Sequence, residues 1–210
     1  MKKVNIAVLV SGGGTNLQAL IDAQNEGIIK SGEIKLVISN NSSAYALERA
    51  KNAGIPAITV TKKQCGSQEA FEHKIIEELK NNDIGLIILA GFMSILSEHF
   101  TKSFDKRIIN VHPSLIPSFC GAGFYGLKVH EAALQKGVKV TGATVHFVNE
   151  IPDGGEIIMQ KAVDVLEGDT PEILQKRVME QAEWKILPAA AEKICAKIAE
   201  RVNYEYLQDK

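Results

Sequence analysis

Four largely apolar runs, VNIAVLV, IKLVISN, AITV and IGLIILA, are separated by stretches whose apolar residues recur at helical spacing. Runs with little polar alternation suit strands covered on both faces, and strands joined by helices run parallel. The first part of the chain is therefore expected to form a doubly wound, mostly parallel α/β sheet, with helices from about Asn16 to Asn25, Ala44 to Ala53 and Gln68 to Asn81. After Arg107 the pattern changes. The run Ile108 to Val111 leads into a loop rich in Gly, Pro and Ser from Pro113 to Gly126, followed by a short helix from about Val129 to Lys136. Thr141 to Val148 alternates, and Gly155 to Val165 returns across IPDGG, which predicts an antiparallel C-terminal extension of the sheet. The segment TPEILQKRVMEQAEWKILP opens with Thr170 as N-cap and Pro171 at the first helical position. Pro188 is expected to kink or break that helix, with a second segment running to about Val202.

The 210 residues suit a single compact domain, with a phosphate-binding half at about 1–107 and a catalytic half at about 108–210. A net charge of -1 does not advertise a polyanion-binding face, so neither a nucleic-acid nor a membrane partner is expected. Cys65, Cys120 and Cys195 are widely spaced, which argues against a disulfide framework or a structural zinc site. The apolar run Ile6 to Val10 is too short for a signal core, and a cytoplasmic protein, monomeric or homodimeric, is expected.

Two places along this frame carry chemistry. SGGGTN, Ser11 to Asn16, stands where the first strand hands over to the first helix, the edge at which open α/β sheets bind ligands. Its glycines open backbone N–H groups to a phosphate, with help from Thr15 and Asn16. A dinucleotide site would need a glycine at Leu17 and an acid after the second strand, where Asn40, Asn41 and Ser42 stand instead. No lysine follows the glycines as in a nucleoside triphosphate loop, so the phosphate of a small substrate remains. The second place is the end of the strand at Val111. Asn110 and His112 are two residues apart and project to one side, held by the stiff exit through Pro113 and Pro117. A carboxamide and an imidazole side by side can stabilise an oxyanion and move a proton, work worth about 3 to 4 kcal/mol for one well-aimed donor. Asp153 reads as an ordinary Asp-Gly turn residue, or as the carboxylate that orients His112 if the hairpin folds back. His146 is either support for that pair or a packed strand residue; His130 and His99 read as structural or exposed, and His73 as part of a solvated face. Cys120 has no paired base in sequence and is not assigned as a nucleophile.

The stretches VLVSGGGTNLQALID, LAGFMSILS, NVHPSLIPSF, TGATVHFVNEIPDGGEIIMQ and EILQKRVMEQAEWKILP together resemble the folate-dependent formyltransferases, and among them those acting on glycinamide ribonucleotide in purine biosynthesis. The resemblance covers nearly the whole chain. It implies a formyltransferase-like fold and a catalytic trio of Asn110, His112 and Asp153. It further implies that the nucleotide phosphate lies on Gly13, Gly14, Thr15 and Asn16, with the substrate amine near Asn110 and Glu183. The co-substrate 10-formyltetrahydrofolate is placed by Met93, Ile95 and Leu96 and by the loop carrying Asn149, Glu150 and Ile151; neither a metal nor a covalent enzyme intermediate is implied. Two positions depart from the pattern. Ser94 stands where some relatives place arginine near the folate tail, and Gln68 lies near a position where others carry a base for the phosphate, for which Lys62 or Lys63 is the candidate substitute.

Overall fold

The structure is a computed structural model that describes residues 3–208, with side chains described up to residue 201. It divides into two compact units, one formed by the described residues of Met1–Leu96 and Ala191–Lys210, the other by Ser97–Ala190. The halves anticipated from the sequence meet near residue 107 instead.

The first unit holds β1 (Val4–Val10), α1 (Thr15–Asn25), β2 (Gly32–Ser39), α2 (Tyr45–Asn52), β3 (Ala57–Thr59), α3 (Lys62–Cys65), α4 (Gln68–Asn81) and β4 (Ile84–Leu89). Its strands run in the order β3-β2-β1-β4, all parallel. Burial is nearly continuous along β1 and β4, the signature of strands covered on both faces and the reason their sequences lack alternation. The C-terminal helix is tied to the start of β2 by Glu192. Its carboxylate accepts from Lys30 N–H at 2.7 Å, Ser31 N–H at 2.8 Å and the Ser31 hydroxyl at 2.8 Å. Gly32 allows this approach, since a Cβ there would stand 2.7 Å from Cys195 Sγ and 2.6 Å from Ile6 Cδ1.

The second unit begins with α5 (Glu98–Ser103), followed by β5 (Ile108–His112), α6 (Leu127–Lys136), β6 (Val140–Phe147), β7 (Ile157–Asp164) and α7 (Pro171–Val178). Here β6 is central and both of its pairings, to β5 and to β7, are antiparallel. The seven strands thus form the α/β arrangement expected from the sequence, parallel first and antiparallel in the C-terminal part. Gly142 in β6 meets the β7 backbone closely, a Cβ there falling 2.0 Å from Lys161 O.

Thr170 caps α7 as anticipated, accepting from Ile173 N–H at 3.3 Å with Pro171 at the helix start. Arg177 fastens the preceding loop by a paired contact to Asp169 and by donation to Asp164 O at 3.2 Å. Pro188 does not break the helix. The irregularity lies upstream, in a π-helical turn at Met179–Glu183, and α8 (Trp184–Gln208) runs through Pro188. A proline inside a helix lacks an N–H for the carbonyl four residues back and crowds it. For Pro188 that residue is Trp184, where the widened turn gives way to α8, so the disturbance sits at a junction that is already irregular. No helix among the described residues is long and apolar enough to cross a membrane.

Replacing Thr170 by Ala removes the side-chain acceptor of α7 and is expected to lower stability to urea by about 1 kcal/mol. Equilibrium unfolding followed by circular dichroism checks this; an unchanged midpoint contradicts the capping assignment.

Candidate active site

Antiparallel pairing of β5 with β6 sets Asn110 opposite His146 and His112 opposite Thr144, so the four side chains share one face of the second unit. The hairpin turn between β6 and β7 then brings Asp153 to them. Asp153 adopts a left-handed backbone, φ 56°, in a turn closed by donation from Gly154 N–H to Ile151 O at 2.9 Å. Gly155 is required beside it, because a Cβ at that position would fall 1.7 Å from Phe147 O. The two glycines of IPDGG therefore serve to seat the carboxylate.

Asp153 is mostly buried, its side chain 14% exposed, and it lies among donors. One carboxylate oxygen accepts from Gly121 N–H at 2.9 Å and lies 3.5 Å from His112 Nδ1; the other lies 3.5 Å from His146 Nε2. Burial by itself raises the pKa of this carboxyl, yet His146, the Gly121 N–H and the charge of His112 outweigh it and hold the pKa below the usual value. Asp153 is thus an anion at neutral pH. His112 is buried and also shares its Nε2 with Phe119 O at 2.9 Å, so that this nitrogen carries the proton. Both ring nitrogens of His112 therefore face oxygen atoms, Phe119 O on one side and the Asp153 carboxylate on the other.

His146 Nδ1 donates to Phe147 O at 2.8 Å, which leaves Nε2 to accept from the Asn110 amide at 3.2 Å in the neutral ring. Nε2 cannot accept from Asn110 and donate to Asp153 at once. The carboxamide of Asn110 thus meets a ring whose same nitrogen lies 3.5 Å from the acid that also faces His112.

The loop after His112 is stitched rather than loose. Thr144, fully buried in β6, donates its hydroxyl to Ser114 O at 2.7 Å and accepts from Ile116 N–H at 3.1 Å and Gln160 Nε2 at 3.0 Å. Gln160 also donates to Ile116 O at 3.0 Å, and Ser114 Oγ to Ser118 O at 2.6 Å. This rigidity presents Phe119 O and Gly121 N–H to the acid and base. His130, in α6, is fully buried, and neither of its ring nitrogens has a partner among the described residues. Burial, with the neighbouring His112 adding to it, pushes its pKa down to about 4. It resolves to the structural reading.

The remaining sequence-derived positions are placed as follows. Gly13, Gly14, Thr15 and Asn16 form the turn from β1 into α1 in the first unit, with Gly14 left-handed at φ 71°. Residues 93–96 follow β4 and are tied to that turn by Met93 N–H donating to Ser11 Oγ at 2.8 Å. Met93 and Ile95 are exposed at 55% and 75%, whereas the Leu96 side chain is buried. Ser94 accepts from Asn40 Nδ2 at 2.8 Å, and Gln68 donates to Ile95 O at 3.1 Å. In the second unit Asn149 accepts from Ile151 N–H at 3.0 Å, Glu150 and Ile151 are exposed, and Glu183 lies buried in the π-helical turn. The structure thus unites Asn110, His112 and Asp153. It adds His146, Gly121 and Phe119, of which the last two act through backbone groups that leave no side-chain signature.

The class of protein on whose fold this cluster stands, a transferase, is identified by comparison with known proteins. A family model described as Formyl transferase matches residues 4–191, and the chain belongs to that family. It is 41% identical to the phosphoribosylglycinamide formyltransferase of Escherichia coli K12, over 85% of this chain and 81% of that protein. It is 46% identical to the trifunctional purine biosynthetic protein adenosine-3 of Gallus gallus over 92% of this chain, but spans only 19% of that protein. The crystal structure of glycinamide ribonucleotide transformylase 1 from Symbiobacterium toebii superposes with a TM-score of 0.87 at 42% identity, covering 93% of this chain and 89% of that one.

Stability should fall with pH through His130. Its ordinary value is 6.5, so below that pH the unfolded chain takes up a proton that the buried ring, at about 4, refuses. Between those values the folded state is expected to lose up to about 1.4 kcal/mol per pH unit. His130→Gln, which cannot be protonated, should flatten that part of the curve in urea titrations at several pH values; an unchanged slope assigns it elsewhere.

Proposed function

We propose that this chain transfers the formyl group of 10-formyltetrahydrofolate to the amine of glycinamide ribonucleotide, in purine biosynthesis. The observation that supports this most is the set of contacts around Asp153, in which an anionic carboxylate lies 3.5 Å from each of two imidazoles, one of them bonded to Asn110. A carboxamide donor, an imidazole and a fixed acid are what acyl transfer to an amine needs when no covalent intermediate intervenes. The names of the relatives support glycinamide ribonucleotide as the acceptor, and the resemblance to the folate-dependent formyltransferases supports the donor.

In this reading the amine lone pair forms a C–N bond to the formyl carbon, and the carbonyl electrons move onto oxygen. The Asn110 amide and the His112 ring donate to that oxyanion. Nδ1 of His112 faces the carboxylate, so the proton offered to the substrate is the one on Nε2, now donated to Phe119 O. Collapse of the tetrahedral species reforms the carbonyl and expels N10 of the folate, which takes up the proton the amine gives up. Asp153 steadies the positive ring throughout. Gly13, Gly14, Thr15 and Asn16 hold the nucleotide phosphate, and Glu183 helps place the amine. Met93, Ile95, Leu96, Asn149, Glu150 and Ile151 hold the folate, Leu96 through its backbone because its side chain is buried. Holding the two reactants together contributes about 7 to 11 kcal/mol of the barrier reduction on its own.

Purified protein given both substrates should release tetrahydrofolate only when the amine substrate is present; release without it would point to hydrolysis of the formyl donor instead. His112→Ala and Asp153→Asn are each expected to lower kcat by about 10²- to 10⁴-fold with the fold intact by circular dichroism. A near-normal rate in either variant removes that residue from the trio.

A further inference from the structure

The turn Ser11–Asn16 contains no lysine or arginine, yet each of its first carbonyls is held from outside the turn or by the helix it starts. Ser11 O accepts from Asn41 Nδ2 at 3.2 Å, Gly12 O from Ala46 N–H at 3.1 Å, and Gly13 O from Arg49 Nε at 2.8 Å. Gly14 O then accepts from Gln18 N–H at 2.9 Å, the opening bond of α1. In a trans peptide the carbonyl and the following N–H point in opposite directions. Holding the carbonyls of residues 11–14 therefore sets the N–H groups of residues 12–15 to the other side. The left-handed Gly14 followed by helical Thr15 is the change of backbone hand by which successive amides can nest an anion.

Three of these holds come from one segment, Asn41 to Arg49. It lies so close that a Cβ on Gly14 would stand 2.7 Å from Ala46 Cβ. Arg49 is the member with a charge. Its Nη1 donates to Gln18 Oε1 at 3.0 Å, and its guanidinium carbon lies 5.0 Å from the centre of the Tyr45 ring, so the fork is held at two ends and on one face. A cation on Gly13 O polarises the Gly13–Gly14 peptide and strengthens the N–H of Gly14 as a donor.

We infer that Arg49 is the positioning residue of the phosphate cradle, acting through the Gly13 carbonyl, and that it supplies the cationic support for which Lys62 and Lys63 were the sequence candidates. The inference rests on the phosphate assignment under the proposed function. It requires the guanidinium fork and not charge alone, because an ammonium cannot hold Gly13 O and Gln18 together while lying flat on Tyr45.

The test compares wild type with Arg49→Gln, Arg49→Lys and Gln18→Leu in the two-substrate assay, and measures the rise in melting temperature caused by inorganic phosphate. Arg49→Gln and Arg49→Lys are both expected to raise KM for glycinamide ribonucleotide about tenfold or more, the scale of one charge-assisted hydrogen bond. KM for the formyl donor should stay put, kcat at saturation should fall far less, and the thermal shift with phosphate should shrink. Gln18→Leu, which keeps the cation and frees one end of it, should move KM in the same direction by less. Nucleotide KM and phosphate shift at wild-type levels in Arg49→Gln overturn the inference, as does full rescue by Arg49→Lys. If wild type itself gains no thermal protection from phosphate and handles the substrate lacking its phosphate equally well, the phosphate assignment falls instead. Should Arg49→Gln fail to fold, Gln18→Leu with unchanged KM and unchanged phosphate protection overturns the inference.

Discussion

A carboxylate mostly withdrawn from water must find polar partners, and for Asp153 they come from three separate segments. Gly121 belongs to the loop after β5, His146 to the central strand β6, and His112 to the end of β5. An unanswered buried charge costs several kcal/mol, so the second unit reaches low energy only when loop, strand and turn arrive together. The surrounding devices read as consequences of that requirement. Gly155 lets the turn press against Phe147 O, and the left-handed Asp153 aims the side chain inward. Thr144 and Gln160 freeze the loop that offers Gly121 and Phe119.

The acid also disciplines the two histidines differently, although both lie at the same distance from it. His112 gives its Nε2 proton to a carbonyl and turns Nδ1 to the carboxylate, so additional positive charge on it is answered. His146 gives its Nδ1 proton to a carbonyl and keeps Nε2 for Asn110, so in the neutral ring it works as the acceptor that orients an amide. His130, near His112, has no partner for its ring nitrogens among the described residues, and burial pushes its pKa down to about 4, which keeps it neutral.

Much of this was legible before any coordinates. Unalternating strands announced the parallel part, and the Thr170-Pro171 pair announced a helix start, because each is a local rule acting on local residues. Polar Asn110 and His112 at the end of an apolar strand mark the candidate site by their cost. Asp153 was ambiguous, since an Asp-Gly turn looks the same whether its carboxylate faces water or a histidine. Gly121, Phe119 and the holds on the glycine turn were invisible for a different reason: backbone groups carry no residue code, and Arg49 meets Gly13 across 36 residues of sequence. Pro188 shows the opposite failure, a local rule displaced by context, since the helix widens before the proline rather than at it.

The acid cluster and the glycine turn answer one physical problem from two sides. In the cluster the protein buries its own anion and arranges polar groups around it; in the turn, under the proposed function, it arranges donors for an anion that the ligand brings. Either arrangement is costly to assemble in water, where loose dipoles would reorient toward solvent. Both are therefore settled during folding, by carbonyls already committed to Asn41, Ala46 and Arg49 in one case, and by a loop committed to Thr144 and Gln160 in the other. Under the proposed function, the reorganisation that would otherwise accompany each turnover is moved into the stability of the fold, through contacts such as those of Thr144, Gln160 and Arg49.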